Sequence, residues 1–478
     1  MMERLFQLKQ HGVSAPKEML CGVTTFLTMS YILFVNPSIA AEAGMPVAGA
    51  FAATALTAAV CSLLTGLVAN TPFAMAPGMG LNTLIIYSVC LGLGFHWKEG
   101  LALTFISGLL HALLMLSPLR KSMVNAIPQH LKLATAAGLG LFIAYLGIKN
   151  AGFLMFTTPV GQYEIMETGA IISNSFVTPG IARSLSTHQA LSLGGLLIML
   201  VLLAMGAKTR EDYAAIPVGV ITITFIGIPL NITELHGINL IDFTPLTALG
   251  NVFMSFFDQP GLGSLFADPG RALLAVLACL MVLLTNIVDS ISTIIGIGQV
   301  PDALIFDGKE MDAFRRKGCK SKLDKTLICT SLGGGLAALM GTTPCTTFIE
   351  SITGILSGGR TGLTACVTGL MFLGCLPLAN FFNSIPSAAG APALIIAGSF
   401  MLPLVHRIDW RNFEESCPSF LTLLFLPVSG SIFGGVIAGV MGHIIIQIFM
   451  GKWRSVHPLL YAASILFIVI LLAGGPNI

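Results

Sequence analysis

The sequence predicts an all-α polytopic membrane protein. We expect about fourteen transmembrane segments in a seven-plus-seven inverted repeat, with short extended pieces leading into half-helices at the third and tenth spans. Three observations predict it. The 478 residues are 55% hydrophobic and only 10% charged, with a mean hydropathy of +0.87, which no soluble domain of this length shows. Apolar runs long enough to cross or half-cross a bilayer follow one another along the chain. Two of those runs open on Thr, Pro and Gly instead of helix formers, at 71–82 and 341–354, and paired broken helices in two halves are a pointer to a transporter site.

The runs are 19–41, 48–69, 71–94, 100–118, 131–155, 187–206, 213–230, 270–298, 326–340, 342–357, 361–381, 388–405, 417–432, 434–450 and 456–474. The first fourteen divide evenly, and the interrupted starts are third in each half. Asn82 and Glu350 occupy matching places, as do Thr25 and Asp289. In Gly341-Thr342-Thr343-Pro344-Cys345-Thr346-Thr347, Pro344 cannot donate to a helix ladder and holds Thr343 extended. The half-helix that follows is expected to carry Glu350 in its first turns. Backbone left bare at membrane depth is tolerated only inside protein or along a cavity; an ordinary kinked helix with a satisfied Glu is the plainer alternative.

Asp289 and Glu350 are the acids well inside the spans, and ionisable groups there default to a functional reading. Asn286, Asp289 and Thr293 fall at i, i+3, i+7 on one helix face, with Ser290 off it. An Asp tied to helix-packing hydroxyls is the alternative. His111 and His443 are each alone in apolar runs and read as interhelical hydrogen bonds more naturally than as a proton relay. Gly333-Gly334-Gly335 reads as close helix packing, since no strand precedes it and no Lys follows at phosphate-loop spacing.

Charge fixes the expected orientation. Arg120, Lys121 and Lys132 lie in the 118–132 connection, and Lys309, Arg315, Arg316, Lys317, Lys320, Lys322 and Lys325 in 300–326. The opposite loops, 156–186 and 231–269, hold Glu164, Glu167, Glu234, Asp242, Asp258 and Asp268 against Arg183. The positive-inside rule then puts the N-terminus in the cytoplasm. The net charge of +2 argues against nucleic acid as a partner. Ten scattered cysteines without CxxC spacing read as packing residues, with no metal or disulfide expected. The polar stretch up to Glu18 is not a cleavable signal, so the first span is expected to target the chain. No nucleophile–base pair or metal-ligand spacing points to an enzyme.

The stretch Gly22-Val23-Thr24-Thr25-Phe26-Leu27-Thr28-Met29-Ser30-Tyr31-Ile32-Leu33-Phe34-Val35-Asn36-Pro37 resembles the first-span signature of the AzgA-like purine permeases, a branch of the nucleobase:cation symporters alongside the xanthine/uracil permeases. Ala76-Pro77-Gly78-Met79-Gly80-Leu81-Asn82 resembles their third span, Asp289 to Gly296 their Asp-Ser/Thr element, and Gly341 to Gly354 followed by 358–365 their Glu-Ser element. The likeness runs from about Leu5 to Trp453. It implies the fourteen-span fold, a cytoplasmic N-terminus (1–18), core repeats (19–118, 270–381), gate repeats (119–230, 382–478) and an external loop (231–269), in a multi-pass protein of the cell (inner) membrane. It also implies import of a purine base, with protons as the coupling ion and no other cofactor. Assembly as a monomer or a homodimer stays open.

Carried over by position, Asn82, Asp289 and Glu350 are the base-binding residues, with Glu350 and Asp289 as proton-coupling groups; Asn286, Ser292, Thr346 and Thr347 in the same motifs complete the candidate set. Departures cluster at that pocket. Asn286 and Ser290 match adenine-type members, where many hypoxanthine/guanine-type members have Asp at 286; Ser292 replaces Gly, Pro344-Cys345 replaces Ser/Thr, and Phe348 replaces Tyr. Adenine is therefore the first expectation, with hypoxanthine or guanine next and a membrane purine sensor without transport as a further alternative. Carboxylates and an amide suit the N–H donors and ring acceptors of a purine edge. The sulfate or bicarbonate carried by other transporters of this general architecture would be repelled by an acidic pocket.

The fifteenth run, 456–474, breaks the even count. It resolves if 417–450 forms one hairpin or one broken crossing and 456–474 is span 14, which leaves the C-terminus inside; a segment lying in the interface is the alternative, but it lacks a polar face. A reporter fused after Ile478 should accordingly work only in a form active in the cytoplasm; activity confined to an externally active reporter would overturn this topology.

Overall fold

In the computed structural model the two Thr/Pro/Gly stretches are extended and pair with each other. The structure describes residues 2–157, 163–165, 171–173, 178–181, 186–209, 215–233, 244–298, 305–306, 310, 314, 321–383, 385–429 and 432–473. Of the charges used for orientation, Glu167, Arg183, Glu234, Asp242, Lys309, Arg315, Arg316, Lys317 and Lys320 lie outside these residues.

The chain is mostly helical, and its helices follow the apolar runs. The first run is Ala15–Met29 and Ile32–Glu42, interrupted at Ser30-Tyr31. The second is Val47–Leu64, ending in a π-helical turn, Thr65–Ala69. The third opens on the strand Met75–Pro77 and continues as Met79–Thr83 and a π-helical Leu84–Gly92. Trp97–Leu116, Gln129–Asn150, Thr187–Thr209, Ala215–Gly227, Pro269–Gly298 and Lys322–Met340 follow. The tenth run is the strand Cys345–Thr347 and the short helix Ser351–Leu356, with Glu350 at its N-cap. The eleventh bends by 44° between Gly362–Gly374 and Leu376–Phe382. Among the described residues six helices, or seven with that bent pair, are long and apolar enough to cross a membrane. The third and tenth runs are shorter helices because each begins as an extended strand.

Two compact units are distinguished. One comprises Met1–Ile143, Gly237–Asn383 and Ala397–Ile478; the other comprises Ala144–His236 and Ser384–Ile396. In the smaller unit Thr187–Thr209 packs on Ala215–Gly227, with Gly195 against Ile223. It also carries two antiparallel strand pairs, Leu154–Thr157 with Thr178–Ile181 and Tyr163–Ile165 with Ile171–Ser173, in a stretch expected to be loop.

In the larger unit, small residues set helix spacing. A Cβ on Gly108 would meet the backbone of Gly334 and Gly335, so the Trp97 and Lys322 helices cross at those glycines. This is the close packing expected of Gly333-Gly334-Gly335. Phe413–Ser429 and Ile432–Phe449 lie antiparallel, with Gly435 against Leu426, Gly439 against Thr422 and Gly442 against Leu421. The described residues of 417–450 thus form an antiparallel helix pair and not one broken crossing. Pro458–Ala473 follows as a separate helix.

Buried charge is compensated. Glu18 accepts from the Arg360 amide (2.7 Å), the Thr361 amide (3.2 Å) and Thr364 Oγ1 (2.6 Å), and so caps the Gly362 helix from a different segment. Arg120 Nε lies 2.6 Å from Asp324 Oδ1, with both side chains buried. Asp324 also closes a capping box with Ser321 at the start of the Lys322 helix. Asp324→Asn keeps the shape but removes the charge opposite a buried guanidinium, so we expect a loss of about 3–5 kcal/mol. Thermal unfolding of the purified variant in detergent checks this, and an unchanged melting temperature would show that Arg120 does not depend on the carboxylate.

Candidate functional site

The site begins with backbone. Met75↔Thr347, Ala76↔Thr346 and Pro77↔Cys345 are opposed in an antiparallel pair. Gly78 N–H donates to Pro344 O (2.9 Å) and Phe348 N–H to Ala74 O (3.0 Å), extending the ladder at both ends. Pro77 has no N–H, and Ser62 Oγ exchanges bonds with Met75 N and O instead of a partner strand. Ser351 Oγ accepts from Ala74 N–H. Each broken segment thereby supplies the hydrogen bonds the other lacks.

Where the strands end, two half-helices begin, and a cavity of about 50 Å³ lies between them. Its wall includes Gly78, Met79 and Gly80 from one break and Thr346, Thr347, Phe348, Ile349 and Glu350 from the other. Asp289 and Thr293 of the Pro269 helix, Tyr31, Leu139, Ile143 and Met401 complete it. The first intrahelical bond of the Met79 helix is Asn82 N–H to Gly78 O. The amides of Met79, Gly80 and Leu81 therefore have no acceptor within their own helix, as at any helix N-terminus.

Two carboxylates face this cavity. Glu350 is 6% exposed and Asp289 7%. Tyr31 Oη donates to Glu350 Oε1 at 2.5 Å. Thr293 Oγ1 lies 3.5 Å from Asp289 Oδ1, and Thr346 also hydrogen-bonds to Asp289. Among the described residues no Lys or Arg pairs with either acid. A buried carboxylate without a cation must be compensated by a proton or by N–H and O–H donors.

The structure thus brings together four of the sequence-derived candidates, Asp289, Glu350, Thr346 and Thr347. Asn82, Asn286 and Ser292 are also fully buried but are not on the cavity wall. Asn82 lies one turn into its helix, and neither amide atom has a hydrogen-bond partner. Asn286 shares the Asp289–Thr293 face, but it lies about 4.5 Å further along the helix than Asp289, where the cavity wall ends. There its Oδ1 accepts from Ser290 (3.3 Å) and its Nδ2 faces Gly334. Ser292 Oγ is likewise buried without a partner. His111 has no hydrogen-bond partner on either ring nitrogen, so the interhelical bond expected of it is not made.

Tyr31 was not singled out from sequence, although it stands in the Ser30-Tyr31 signature. What places it is tertiary packing: its ring stands 6.4 Å from that of Phe348 and its hydroxyl reaches Glu350. Asn36 was missed similarly: its amide donates to Thr54 Oγ1 (2.7 Å) and Thr342 Oγ1 (3.1 Å), anchoring the second break.

Gly78 needs its missing side chain, since a Cβ there would lie 2.6 Å from Thr346 Oγ1. We expect Gly78→Ala to cost about 1–3 kcal/mol of stability through overpacking. Most of that cost should disappear in a Thr346→Ala background, measured as a double-mutant cycle of melting temperatures; simple additivity would show that the two residues do not press on each other.

The chain matches the Permease family over residues 16–434. It is 32% identical to the adenine permease AdeP of Escherichia coli, covering 98% of this chain and 95% of that one. It is also 32% identical to the guanine/hypoxanthine permease PbuO of Bacillus subtilis, covering 97% and 99%. Among solved structures, the transmembrane domain of the cyanobacterial bicarbonate transporter BicA superposes with a TM-score of 0.53 at 15% identity, covering 88% of this chain and 97% of that one. At that identity the likeness concerns the fold alone.

Proposed function

The chain belongs to the permease family, and from that premise we propose that it carries a purine nucleobase across the membrane in symport with protons, with adenine preferred. It is a transporter and not an enzyme. The observation that carries the reading is the meeting of Asp289 and Glu350, from distant parts of the chain, on one cavity between two half-helix N-termini. A purine edge offers N–H donors and ring-nitrogen acceptors. The carboxylates take the donors, and the amides of Met79 and Gly80 serve the acceptors, while Thr346 and Thr347 shape the wall beside them. Leu139, Ile143, Phe348 and Met401 give the flat ring apolar faces.

Tyr31 is a positioning residue: by holding Oε1 of Glu350 it leaves Oε2 to the base. At about 50 Å³ the cavity is contracted around this arrangement, and its walls part to admit a base during alternating access. Fourteen spans in two inverted repeats, with the core and gate limits given above, are the architecture proposed to carry that motion. The adenine preference is supported by Asn286 and Ser290, which match adenine-type members. Because Asn286 lies off the cavity wall, its influence is proposed to pass through the helix that holds Asp289.

Uptake of labelled adenine, hypoxanthine and guanine into cells lacking their own permeases tests the proposal. Wild type should accumulate adenine in response to an inward proton gradient. Hydrogen bonds to a charged group are worth about 1.5–3 kcal/mol, so Glu350→Gln should weaken base recognition about 10- to 100-fold and abolish accumulation, with a smaller loss for Tyr31→Phe. Asn286→Asp should shift competition toward hypoxanthine. Normal accumulation by Glu350→Gln would sink the coupling role, and an unchanged preference in Asn286→Asp would assign residue 286 to packing.

A further inference from the structure

A second cavity, of about 310 Å³, lies away from the carboxylate site within the larger unit. Its wall is polar and basic: Asn125, His443, Arg454, Ser455 and His457 line it, with Val456 and Leu460 at its inner edge. His443 is 8% exposed and its Nδ1 has no hydrogen-bond partner. The His130 ring stands 5.1 Å from it, also with one nitrogen unpartnered. His457 ties the wall together: Leu459 N–H donates to its Nδ1 (3.3 Å), so in the neutral ring Nε2 carries the hydrogen and donates to Ser122 Oγ (3.0 Å).

The charge balance here is positive. Glu414, the acid near His443, is occupied by Lys452 and by Gln447 Nε2. Among the described residues no acid pairs with Arg454 or with nearby Lys132, whose Nζ donates to Val124 O at 2.7 Å. Arg454 stacks 4.9 Å from the Trp453 ring, an arrangement suited to the membrane–water interface.

Leu460 also lines a further, largely apolar cavity, walled by Ile127, Leu131, Val436, Val440 and Ala463. A basic polar chamber and an apolar slot that share a wall residue match an amphiphile with an anionic head. Basic pockets between transmembrane helices are where anionic headgroups bind. We propose that this chamber binds one anionic phospholipid, its phosphodiester held by Arg454, His443 and Asn125 and the start of an acyl chain entering the slot beside Leu460. A bound lipid would staple the Leu119–Ala126 helix to the Ile432 and Pro458 helices. A free phosphate satisfies the chamber but not the slot.

Native mass spectrometry of the full-length protein in mild detergent tests this with phosphatidylglycerol, phosphatidylcholine, glycerol phosphate and inorganic phosphate as probes. One phosphatidylglycerol should be retained per chain in preference to phosphatidylcholine, and equimolar glycerol phosphate or inorganic phosphate should not displace it. One basic residue near the headgroup is worth about fivefold in affinity, so Arg454→Gln should weaken retention by about that factor while Lys98→Gln, at the end of the Trp97–Leu116 helix remote from the Leu119 helix, leaves it intact. Photocrosslinking phosphatidylglycerol to the unmodified protein needs no variant to fold, and should label peptides within 122–131 and 454–464. Equal retention of the two lipids, displacement by inorganic phosphate, or labelling only outside those peptides would overturn the proposal.

Discussion

The structure depends on one constraint: backbone polar groups buried among apolar helices must find partners. Two segments break helical hydrogen bonding, 71–78 because of Pro72, Pro77 and Gly78, and 341–348 because of Gly341 and Pro344. Either alone would leave several amides and carbonyls unmet, at a cost of a few kcal/mol each. Paired in the register Met75↔Thr347 they meet most of one another's needs, and Ser62, Ser351 and Asn36 supply side-chain bonds around the pair. A two-stranded sheet this short has no stability of its own. It persists because the surrounding helices exclude water and every alternative leaves groups unsatisfied.

The position of the chemistry follows from that pairing. Each strand runs directly into a helix N-terminus, so pairing the strands brings two such termini to one place. Glu350 stands at the N-cap of one of them, and the Pro269 helix, packed against the second strand, presents Asp289 and Thr293 to the same cavity. Among the described residues neither acid pairs with a cation, whereas buried Asp324 pairs with Arg120 and buried Glu99 with Arg271. The contrast separates carboxylates paired within the fold from carboxylates that face a cavity without a cation. Glu18 belongs with the first kind, since its bonds go to the amides that start a helix.

Small residues make these approaches feasible. Gly78 lets Thr346 stand against the first half-helix, Gly354 lets the second lie on Thr25 and Cys21, and Gly108 with Gly334 sets the distance between two supporting helices. A side chain at any of these points would push apart elements whose separation fixes the cavity.

By itself the sequence determined the class of protein, the location of nearly every helix, the two breaks, and the two acids set within apolar runs. Composition, hydropathy and the conformational limits of Pro and Gly are local properties, and each acts where it is written. The acids were legible because a charge in an apolar run has no bland environment within its own helix. Only the tertiary structure decided that the two breaks pair, that the described residues of 417–450 form an antiparallel helix pair, and which candidates meet. Helical periodicity put Asn286 on the face of Asp289 but said nothing of depth, and the cavity wall stops at Asp289, one turn short of it. Tyr31 looked like one aromatic among many until packing set its hydroxyl against Glu350. Strand register, depth along a helix and the partner of a hydroxyl are relations between distant segments, and they exist only once those segments have packed.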